Sequence, residues 1–463
     1  MFQKNINFSI SERKFLLRFF DVFVVVIGLY LVFYFFDDFH YFKPNESNFY
    51  GYLIVLICYV LFFGQLFEMY NLKVSNDTYQ TLKNTLITGS LTTFFYVFTP
   101  YITPVLPVNR LQIVYLFLAI TISIYCWRFI YIQFIFSPLF LNKVLIIGYN
   151  NDFIETLIKT IKNKVPYYYI MGYVSPNKIE SLSINYINTT NLDLKKWVKA
   201  HKIKEIVVED FQKNEFINNF TPKLISLFNE GLIITSSEKF IESIYKRIPE
   251  NQLNENFYNH LNFSLNHQNR IYLIFHRLFD IIMALIGMCF LILSIPFITI
   301  GNLLFNKGSL FYLQERVGKG GVLFKIIKFR TMVPGAEKNG AEWAQKNDTR
   351  ITKFGKLLRN TRLDEVPQFI NILKGEMSVI GPRPERPEFV EALSKDNPFY
   401  TIRNVIKPGL TGWAQVEYPY ASSKEEQYIK LRYDLYYMKE RNLLLDFKII
   451  IKTISTVLFY KDV

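Results

Sequence analysis

Long apolar runs constrain this chain most, because about 20 apolar residues in a helix are enough to cross a membrane. Four such runs fill the first third of the sequence, at residues 15–36, 50–67, 86–106 and 111–136. They predict a four-helix transmembrane bundle over residues 1–141. The third run is the weakest, since Pro100 and Pro104 lie near its end.

Charge predicts the orientation of this bundle. Basic residues precede the first run, whereas the loop after it carries Asp37, Asp38 and Glu46. Because cytoplasmic loops are enriched in Lys and Arg, both ends of the bundle are expected in the cytoplasm. The net charge of +14 fits cytoplasmic loops and anionic lipid. No nucleic-acid-binding motif accompanies it, so we expect a lipid bilayer and no nucleic acid among the partners.

Residues 142–263 are typical of an α/β domain. Apolar strands are predicted at residues 144–148, 206–208 and 232–234, with helices after Asn150 and around Leu194 and Leu224. Strands that alternate with helices indicate a parallel, doubly wound, Rossmann-like sheet. A dinucleotide site needs several glycines after the first strand, and only Gly148 is present. A structural or regulatory domain is therefore favoured over a cofactor-binding one.

A fifth apolar run, residues 279–304, belongs to a linker and membrane segment predicted at 264–304. Ser294, Ile295 and Pro296 interrupt the run, and proline removes a backbone donor and kinks or breaks a helix. Basic residues flank both ends, so a spanning helix would leave one basic flank outside. This favours a helix–break–helix hairpin that enters and leaves on one face. A fifth span with a proline kink is the alternative.

The candidate chemistry lies in residues 305–463, and its centre is the acidic pair Asp364 and Glu365. Apolar spacing after Pro367 predicts a helix that stops at Gly375. Since proline fits only in a first turn, the pair lies at or near a helix N-terminus, where the helix dipole favours a carboxylate. An ionised Asp is a nucleophile, and an adjacent Glu can hold a hard cation. A helix cap with an exposed acidic neighbour is the alternative.

Several cations are expected near this pair. In the Gly-Pro-Arg-Pro motif at 381–384, two prolines fix the backbone around an arginine suited to bidentate phosphate binding. Strand alternation places Lys328 and Arg330 on one face, and Arg359 and Arg362 precede the pair. Cations around two carboxylates are typical of diphosphate chemistry. A rigid turn and a solvated basic face are the alternatives.

The ordered combination of short motifs closely resembles the bacterial sugar transferase family, the polyprenyl-phosphate glycosyl-1-phosphate transferases. The resemblance runs from about Arg277 to the C-terminus. It rests on HRLFD at 276–280, SIP at 294–296, QERVG at 314–318, KFRTM at 328–332, LDEVPQ at 363–368, GPRP at 381–384 and KPGLTGWAQV at 407–416. The bundle and the middle domain look like the long form of the family, which initiates exopolysaccharide or O-antigen synthesis.

The resemblance implies transfer of a sugar-1-phosphate from a UDP-sugar to undecaprenyl phosphate, with release of UMP, at the cytoplasmic face of the bacterial inner membrane. By analogy, Asp364 attacks the sugar-proximal phosphorus and forms a covalent phosphosugar intermediate. Glu365, together with Asp364, would hold Mg²⁺. The resemblance also implies a small α/β-type catalytic domain that follows a re-entrant helix hairpin.

Further positions match the family residue by residue. The predicted phosphate-binding residues are Arg316, Lys328, Arg330, Arg359 and Arg383, and the predicted hairpin residues are Arg277, Asp280, Ser294 and Pro296. His276 departs from the pattern, because the family often has Lys there.

Two rival functions are open at this point. A membrane-tethered nucleotide-sugar dehydratase would need the glycine-rich loop that Gly148 alone does not supply. A non-catalytic scaffold for polysaccharide assembly is disfavoured by the acidic pair and its arginines. Glucose, galactose and N-acetylated or diamino sugars all stay open as the sugar, and so does a homo-oligomer. Residues 443–459 fit an interfacial amphipathic helix and a core-packing helix equally well.

Overall fold

A computed structural model describes residues 10–36, 39–44, 46–72, 78–135, 141–165, 168–188, 193–209, 215–250, 253, 269–306, 308–336, 348–418, 421 and 423–458. The chain forms two compact units, Met1–Ile244 and Tyr245–Val463, and each is described by itself. The predicted domain boundary at residue 263 lies outside the described residues and stays a prediction.

The first unit begins with four long helices: α1 (Ile10–Phe35), α2 (Phe49–Leu66), α3 (Thr78–Phe98) and α4 (Leu111–Ile135). By length and composition, α1, α2 and α4 could cross a membrane, as could one helix of the second unit. These four helices identify a membrane protein.

Helix α3 differs from the span predicted at 86–106. It begins at Thr78, ends at Phe98, and is not among the helices apolar enough to cross a membrane. It ends there because Pro100 follows, and the residue before a proline disfavours helical backbone. Most of its buried residues are threonines, and large side chains are buried only near its end; the threonines are Thr81, Thr85, Thr88, Thr92 and Thr93.

A buried ion pair joins α1 to α4. Arg128 Nη2 donates to Asp21 Oδ2 at 2.5 Å, and its Nε donates to Asp21 Oδ1 at 3.0 Å. Arg128 Nη1 also donates to the carbonyl of Met69 at 2.8 Å. Charged groups inside a membrane bundle need such partners, because the surrounding lipid offers none. The apolar pattern gave no sign that these two residues would meet.

The rest of the first unit is the predicted α/β domain. Its elements are β1 (Asn142–Ile147), α5 (Asn151–Lys164), β2 (Tyr168–Val174), α6 (Leu194–His201), β3 (Glu205–Val208), α7 (Glu215–Asn218), α8 (Thr221–Asn229), β4 (Ile233–Ser236) and α9 (Ser237–Tyr245). The strands lie in the order β2-β1-β3-β4, and all their pairings are parallel. The predicted parallel sheet is confirmed, whereas β2 and α9 were missed.

Both faces of this sheet are covered. Leu145 and Ile147 of β1 pack with residues of α6 and α8. Val144 and Ile146, which point the other way, pack with residues of α5 and α9. Successive residues of a strand face opposite sides, so a strand buried on both faces becomes a continuous apolar run. This is why residues 144–147 contain only Val, Leu and Ile.

The turn after β1, where a dinucleotide fold would bind phosphate, holds a carboxylate of the chain itself. Glu209 Oε2 accepts from the backbone N–H groups of Tyr149 at 2.7 Å and Asn150 at 3.1 Å. A side chain at Gly148 would approach the same oxygen to 2.7 Å, so glycine leaves room for Glu209 at this turn. This arrangement agrees with a structural or regulatory domain.

The long helix of the second unit is α10 (Arg270–Phe305), which is long and apolar enough to cross a membrane. Its other elements are β5 (Phe311–Val317), β6 (Leu323–Phe329), α11 (Lys353–Asn360), α12 (Gln368–Lys374), β7 (Ser378–Ile380), α13 (Pro387–Asp396), β8 (Gly409–Thr411), α14 (Trp413–Glu417), α15 (Lys424–Glu440) and α16 (Leu443–Leu458). Strands β5 and β6 form an antiparallel hairpin, and β7 and β8 a parallel pair. The hydrophobic core of this unit includes Trp413, Leu435 and Ile449.

The break predicted at Ser294, Ile295 and Pro296 is not found. Helix α10 is one run of 36 residues with Pro296 inside it. Proline removes one N–H from the helix but leaves the neighbouring hydrogen bonds, and Ser294 Oγ donates to the carbonyl of Leu291 at 2.9 Å. The helix packs against its own unit instead of folding back on itself.

Candidate active site

The acidic pair lies in a single 3₁₀ turn, Leu363–Glu365, just before α12. Arg362 begins the turn in the left-handed region at φ 57°, and Gly375 ends α12 at φ 84°. The helix and its glycine stop are therefore confirmed. Asp364 is 7% exposed and Glu365 is 9% exposed. Because both are buried, the alternative of an exposed acidic neighbour is wrong.

Two cations from distant segments meet at one oxygen of Glu365. Lys328 Nζ donates to Glu365 Oε1 at 3.0 Å, and Arg383 Nη2 donates to the same oxygen at 3.1 Å. A buried carboxylate is stable only when it is paired and hydrogen-bonded. Glu365 therefore fixes the positions of both cations beside Asp364.

The two carboxylates differ in their surroundings. Burial raises the pKa of Asp364 to about 6, and the charge of Glu365 adds to this effect, against Lys328 and Arg359. Burial alone would also raise the pKa of Glu365, but Lys328 and Arg383 hold it well below its ordinary range. Glu365 thus stays ionised, and Asp364 is the more basic of the two. Asp364 Oδ1 has no hydrogen-bond partner among the described residues.

The β5–β6 hairpin presents Lys328 to the pair. Asn371 of α12 anchors this hairpin, since its Nδ2 donates to the carbonyl of Lys325 at 2.8 Å and its Oδ1 accepts from the N–H of Ile327 at 3.1 Å. Arg330, predicted on the same face as Lys328, does not reach the acidic pair. Strand β6 ends at Phe329, and Arg330 turns to donate to the hydroxyl of Ser309.

The two other predicted phosphate ligands, Arg359 and Arg316, have different surroundings. Arg359 donates from Nε to Thr331 Oγ1 at 3.0 Å, and its charge acts on Asp364. Arg316 is half-buried, and its Nη1 donates to the carbonyl of Pro384 in the 381–384 motif at 3.1 Å. Arg316 therefore supports the segment that carries Arg383.

Two motifs that are distant in sequence pack backbone against backbone. The N–H of Gly381 donates to Thr411 at 2.9 Å, and the N–H of Gly409 donates to Pro382 at 2.8 Å. A side chain at Gly409 would overlap the nitrogen of Gly381, and one at Gly412 would overlap its carbonyl oxygen. The glycines are thus required by the close approach that places Arg383.

Sequence reasoning missed the residues that hold the arginine segment from behind. Arg403 Nη2 donates to the carbonyl of Arg383 at 3.1 Å and pairs with Asp434 Oδ2 at 2.7 Å. Gln415 accepts from Arg383 Nη1 at 3.2 Å. Gln415 lay inside a motif used for the resemblance, but nothing in its spacing indicated a contact with Arg383.

The predicted hairpin residues tie α10 to its own unit. Arg277 donates to the last carbonyls of α12, those of Ile372 at 2.8 Å and Leu373 at 3.0 Å. Asp280 Oδ1 accepts from Ser378 Oγ and from the N–H of Val379, both at 2.8 Å. His276, which stands where Lys was expected, is buried on the same helix.

The donor set is compatible with a magnesium ion shared with a substrate. Among the described residues, no three His, Cys, Asp or Glu side chains gather into a metal site. Mg²⁺ commonly binds one or two carboxylates together with substrate phosphates and water. If such an ion binds, the unpartnered Oδ1 of Asp364 and the carboxylate of Glu365 would be its protein ligands.

Comparison with known proteins shows which family this part of the chain resembles. The sequence model of the bacterial sugar transferase family matches residues 271–460. The uncharacterized sugar transferase EpsL of Bacillus subtilis (strain 168) is 36% identical over 191 residues, which are 40% of this chain and 88% of that relative. The chain belongs to the bacterial sugar transferase family.

Two longer relatives carry names that state a reaction. The chain is 48% identical over 153 residues to UDP-N-acetylgalactosamine-undecaprenyl-phosphate N-acetylgalactosaminephosphotransferase of Aeromonas hydrophila, over 33% of this chain and 36% of that relative. It is 40% identical over 183 residues to UDP-glucose:undecaprenyl-phosphate glucose-1-phosphate transferase of Xanthomonas campestris pv. campestris, over 39% and 37%. The alignments thus span little more than a third of these relatives.

We predict that Gly409→Ala abolishes catalytic turnover and lowers the melting temperature of this family member. The added methyl group overlaps the backbone of Gly381, which cannot move aside as a flexible side chain would. Overpacking of this kind costs about 1–3 kcal/mol or more. Thermal unfolding in detergent and a turnover assay measure both effects. Gly308→Ala is the control, because it meets only the side chain of Arg330; equal losses in both variants would contradict the prediction.

Proposed function

We propose that this protein transfers a sugar-1-phosphate from a UDP-sugar to undecaprenyl phosphate and releases UMP. The observation that carries the proposal is the buried Asp364, whose Oδ1 is unpartnered among the described residues, beside a carboxylate that holds two cations. The family and the names of the two longer relatives support it.

The reaction takes place in two displacements. A carboxylate oxygen of Asp364 attacks the sugar-proximal phosphorus, and the bond from that phosphorus to the bridging oxygen breaks. UMP leaves with the bridging oxygen and its electron pair. A phosphate oxygen of undecaprenyl phosphate then attacks the same phosphorus and displaces Asp364. The products are the lipid diphosphate sugar and the free carboxylate.

The cations stabilise the charge that this chemistry moves. Arg383 and Lys328 are held by Glu365, the neighbour of Asp364 in the chain, and Arg359, which donates to Thr331, also acts on Asp364 through its charge. Preorganised cations lower the energy of a phosphoryl-transfer transition state without rearranging during the reaction. The raised pKa of Asp364 near 6 leaves it ionised at neutral pH and more basic than an ordinary aspartate.

We predict that Asp364→Asn lowers UMP release at least about 1,000-fold, because an amide cannot form the acyl-phosphate bond. The melting temperature should stay close to that of the parent protein. The assay follows UMP formed from UDP-N-acetylgalactosamine and UDP-glucose with undecaprenyl phosphate. Asp396→Asn is the matched control, since Asp396 lies on the surface and pairs only with Lys424 among the contacts described. Near-normal turnover by Asp364→Asn would disprove the assignment of the nucleophile.

A magnesium ion is part of the proposal. Glu365 and Asp364 would hold it, and it would supply positive charge for the diphosphate and the departing UMP. Lys328 and Arg383 are already engaged by Glu365, so they neutralise that carboxylate as well as the substrate.

We predict that removal of divalent cations abolishes turnover and that Mg²⁺ restores it better than Ca²⁺. Mg²⁺ keeps several of its waters and binds through one or two carboxylates and substrate phosphates, whereas Ca²⁺ favours a larger set of protein oxygens than Asp364 and Glu365 supply. UMP release is measured after exhaustive EDTA treatment and after titration of each ion. Full activity in EDTA would rule out the metal.

The second unit, Tyr245–Val463, which we call the catalytic unit, is proposed to lie wholly on the cytoplasmic face of the inner membrane. Helix α10 contacts this unit at both ends: Tyr272 donates to Asp446 at 2.6 Å, and Asn302 Nδ2 donates to the carbonyl of Gly308 at 2.8 Å. Between them, Gly287 packs against Phe369 and Gly301 against Phe354. The same folded unit packs along the length of α10. If α10 crossed the bilayer, parts of that one unit would have to lie on both sides of the membrane. The contacts therefore support a helix that lies along its own unit on one face of the bilayer and does not cross it.

We predict that a cysteine at Lys395, introduced after the three native cysteines are replaced, resists membrane-impermeant thiol reagents in intact spheroplasts. It should react after lysis, because Lys395 lies on the exposed α13 helix of the catalytic unit. Lys43→Cys, in the loop expected outside, is the control that should react in intact cells. Labelling of the Lys395 position in intact cells would place the catalytic unit outside.

A further inference from the structure

Gln415 is a neighbour of the acidic pair to which the proposed reaction gives no role. Arg383 links the two, since Nη2 donates to Glu365 Oε1 at 3.1 Å and Nη1 donates to Gln415 Oε1 at 3.2 Å. A guanidinium group has donors only, so the carboxamide atom that faces Arg383 must be the oxygen. The orientation of the Gln415 side chain is therefore fixed, with Nε2 directed away from the arginine.

This Nε2 is buried and has no hydrogen-bond partner among the described residues. A buried amide donor without an acceptor lowers stability, so such groups usually bind a ligand or an ordered water. The local backbone gives little freedom, because Gln415 donates its N–H to Gly412 at 3.0 Å and Gly412 packs on the carbonyl of Gly381.

Asp364 Oδ1, on the residue next to Glu365, is likewise buried and without a hydrogen-bond partner among the described residues. One unpartnered acceptor thus belongs to the acidic pair, whose Glu365 binds Arg383, and one unpartnered donor belongs to Gln415, which binds the same guanidinium group. The carboxylate oxygen of Asp364 is placed to attack an electrophilic phosphorus, and the amide N–H of Gln415 is free to donate to a phosphate oxygen. A carboxamide adds a hydrogen bond without adding charge, which fits a site where Lys328 and Arg383 already supply the cations.

We infer that Gln415 is a substrate-binding residue: Nε2 donates to a non-bridging oxygen of the donor diphosphate, while Oε1 holds Arg383 in position. The inference rests on the proposed function, because it takes a nucleoside diphosphate as the ligand. It makes the 407–416 motif a part of the binding site as well as the backbone partner of the 381–384 motif.

The test compares two substitutions that separate the two ends of the carboxamide. Gln415→Glu keeps an acceptor for Arg383 but replaces the donor with an anionic oxygen. Gln415→Met keeps the size of the side chain and removes both functions. Affinities for UDP, UDP-N-acetylgalactosamine and UDP-glucose are measured by calorimetry on the full chain in nanodiscs, and KM and kcat are measured for UMP release.

We predict that Gln415→Met weakens UDP binding and raises KM by about 10- to 100-fold, the range for one hydrogen bond to a charged group. Gln415→Glu should lose at least as much, with melting temperatures close to that of the parent. Gln80→Glu, on the exposed surface of α3, is the matched charge control. Equal losses for UDP and both UDP-sugars support contact with the diphosphate.

Three results would overturn the inference. Normal binding by both variants would remove Gln415 from the site. Normal binding by Gln415→Glu with a loss only in Gln415→Met would leave it as a support for Arg383 alone. A loss confined to UDP-sugars, with UDP unaffected, would assign it to the sugar. These three results are interpretable only if the parent protein releases UMP. If the parent protein releases no UMP from any UDP-sugar, the proposed function itself is wrong, so the two kinds of failure can be distinguished.

Discussion

The arrangement of the active site depends on the cations that compensate the buried charge of Glu365. Its Oε1 accepts from Lys328 of the β5–β6 hairpin and from Arg383 of the 381–384 motif. Removal of one partner from a buried charge leaves the other uncompensated and typically costs about 3–5 kcal/mol. The same contacts that allow Glu365 to be buried therefore determine where both cations stand relative to Asp364, and so the charge pattern of the site.

The arginine segment shows how this arrangement is kept rigid. Gly381 and Gly409 let two backbones approach closely, Arg403 and Arg316 bind carbonyls of the segment, and Gln415 accepts from Arg383. Each support acts on the backbone or on the guanidinium directly. A phosphate-binding arginine fixed in this way does not need to be ordered when substrate arrives, which lowers the cost of binding.

The α/β domain illustrates that a fold does not carry a function by itself. Its parallel sheet and the helix after β1 are those of many nucleotide-binding domains, and that helix N-terminus would favour an anion. Here the anion is Glu209, which accepts from the N–H groups of Tyr149 and Asn150. The domain thus satisfies with its own carboxylate the backbone donors that a phosphate would otherwise use.

The sequence by itself determined the apolar runs, the parallel α/β domain, the helix between Pro367 and Gly375 and the acidic pair before it, because periodicity, proline and glycine act locally. Only the tertiary structure decided that Lys328 reaches Glu365 while Arg330 does not, that Asp21 pairs with Arg128, and that Gln415 faces Arg383. It also decided that α10 continues through Pro296. These outcomes depend on side-chain direction and on partners far away in the chain, which local sequence patterns do not encode.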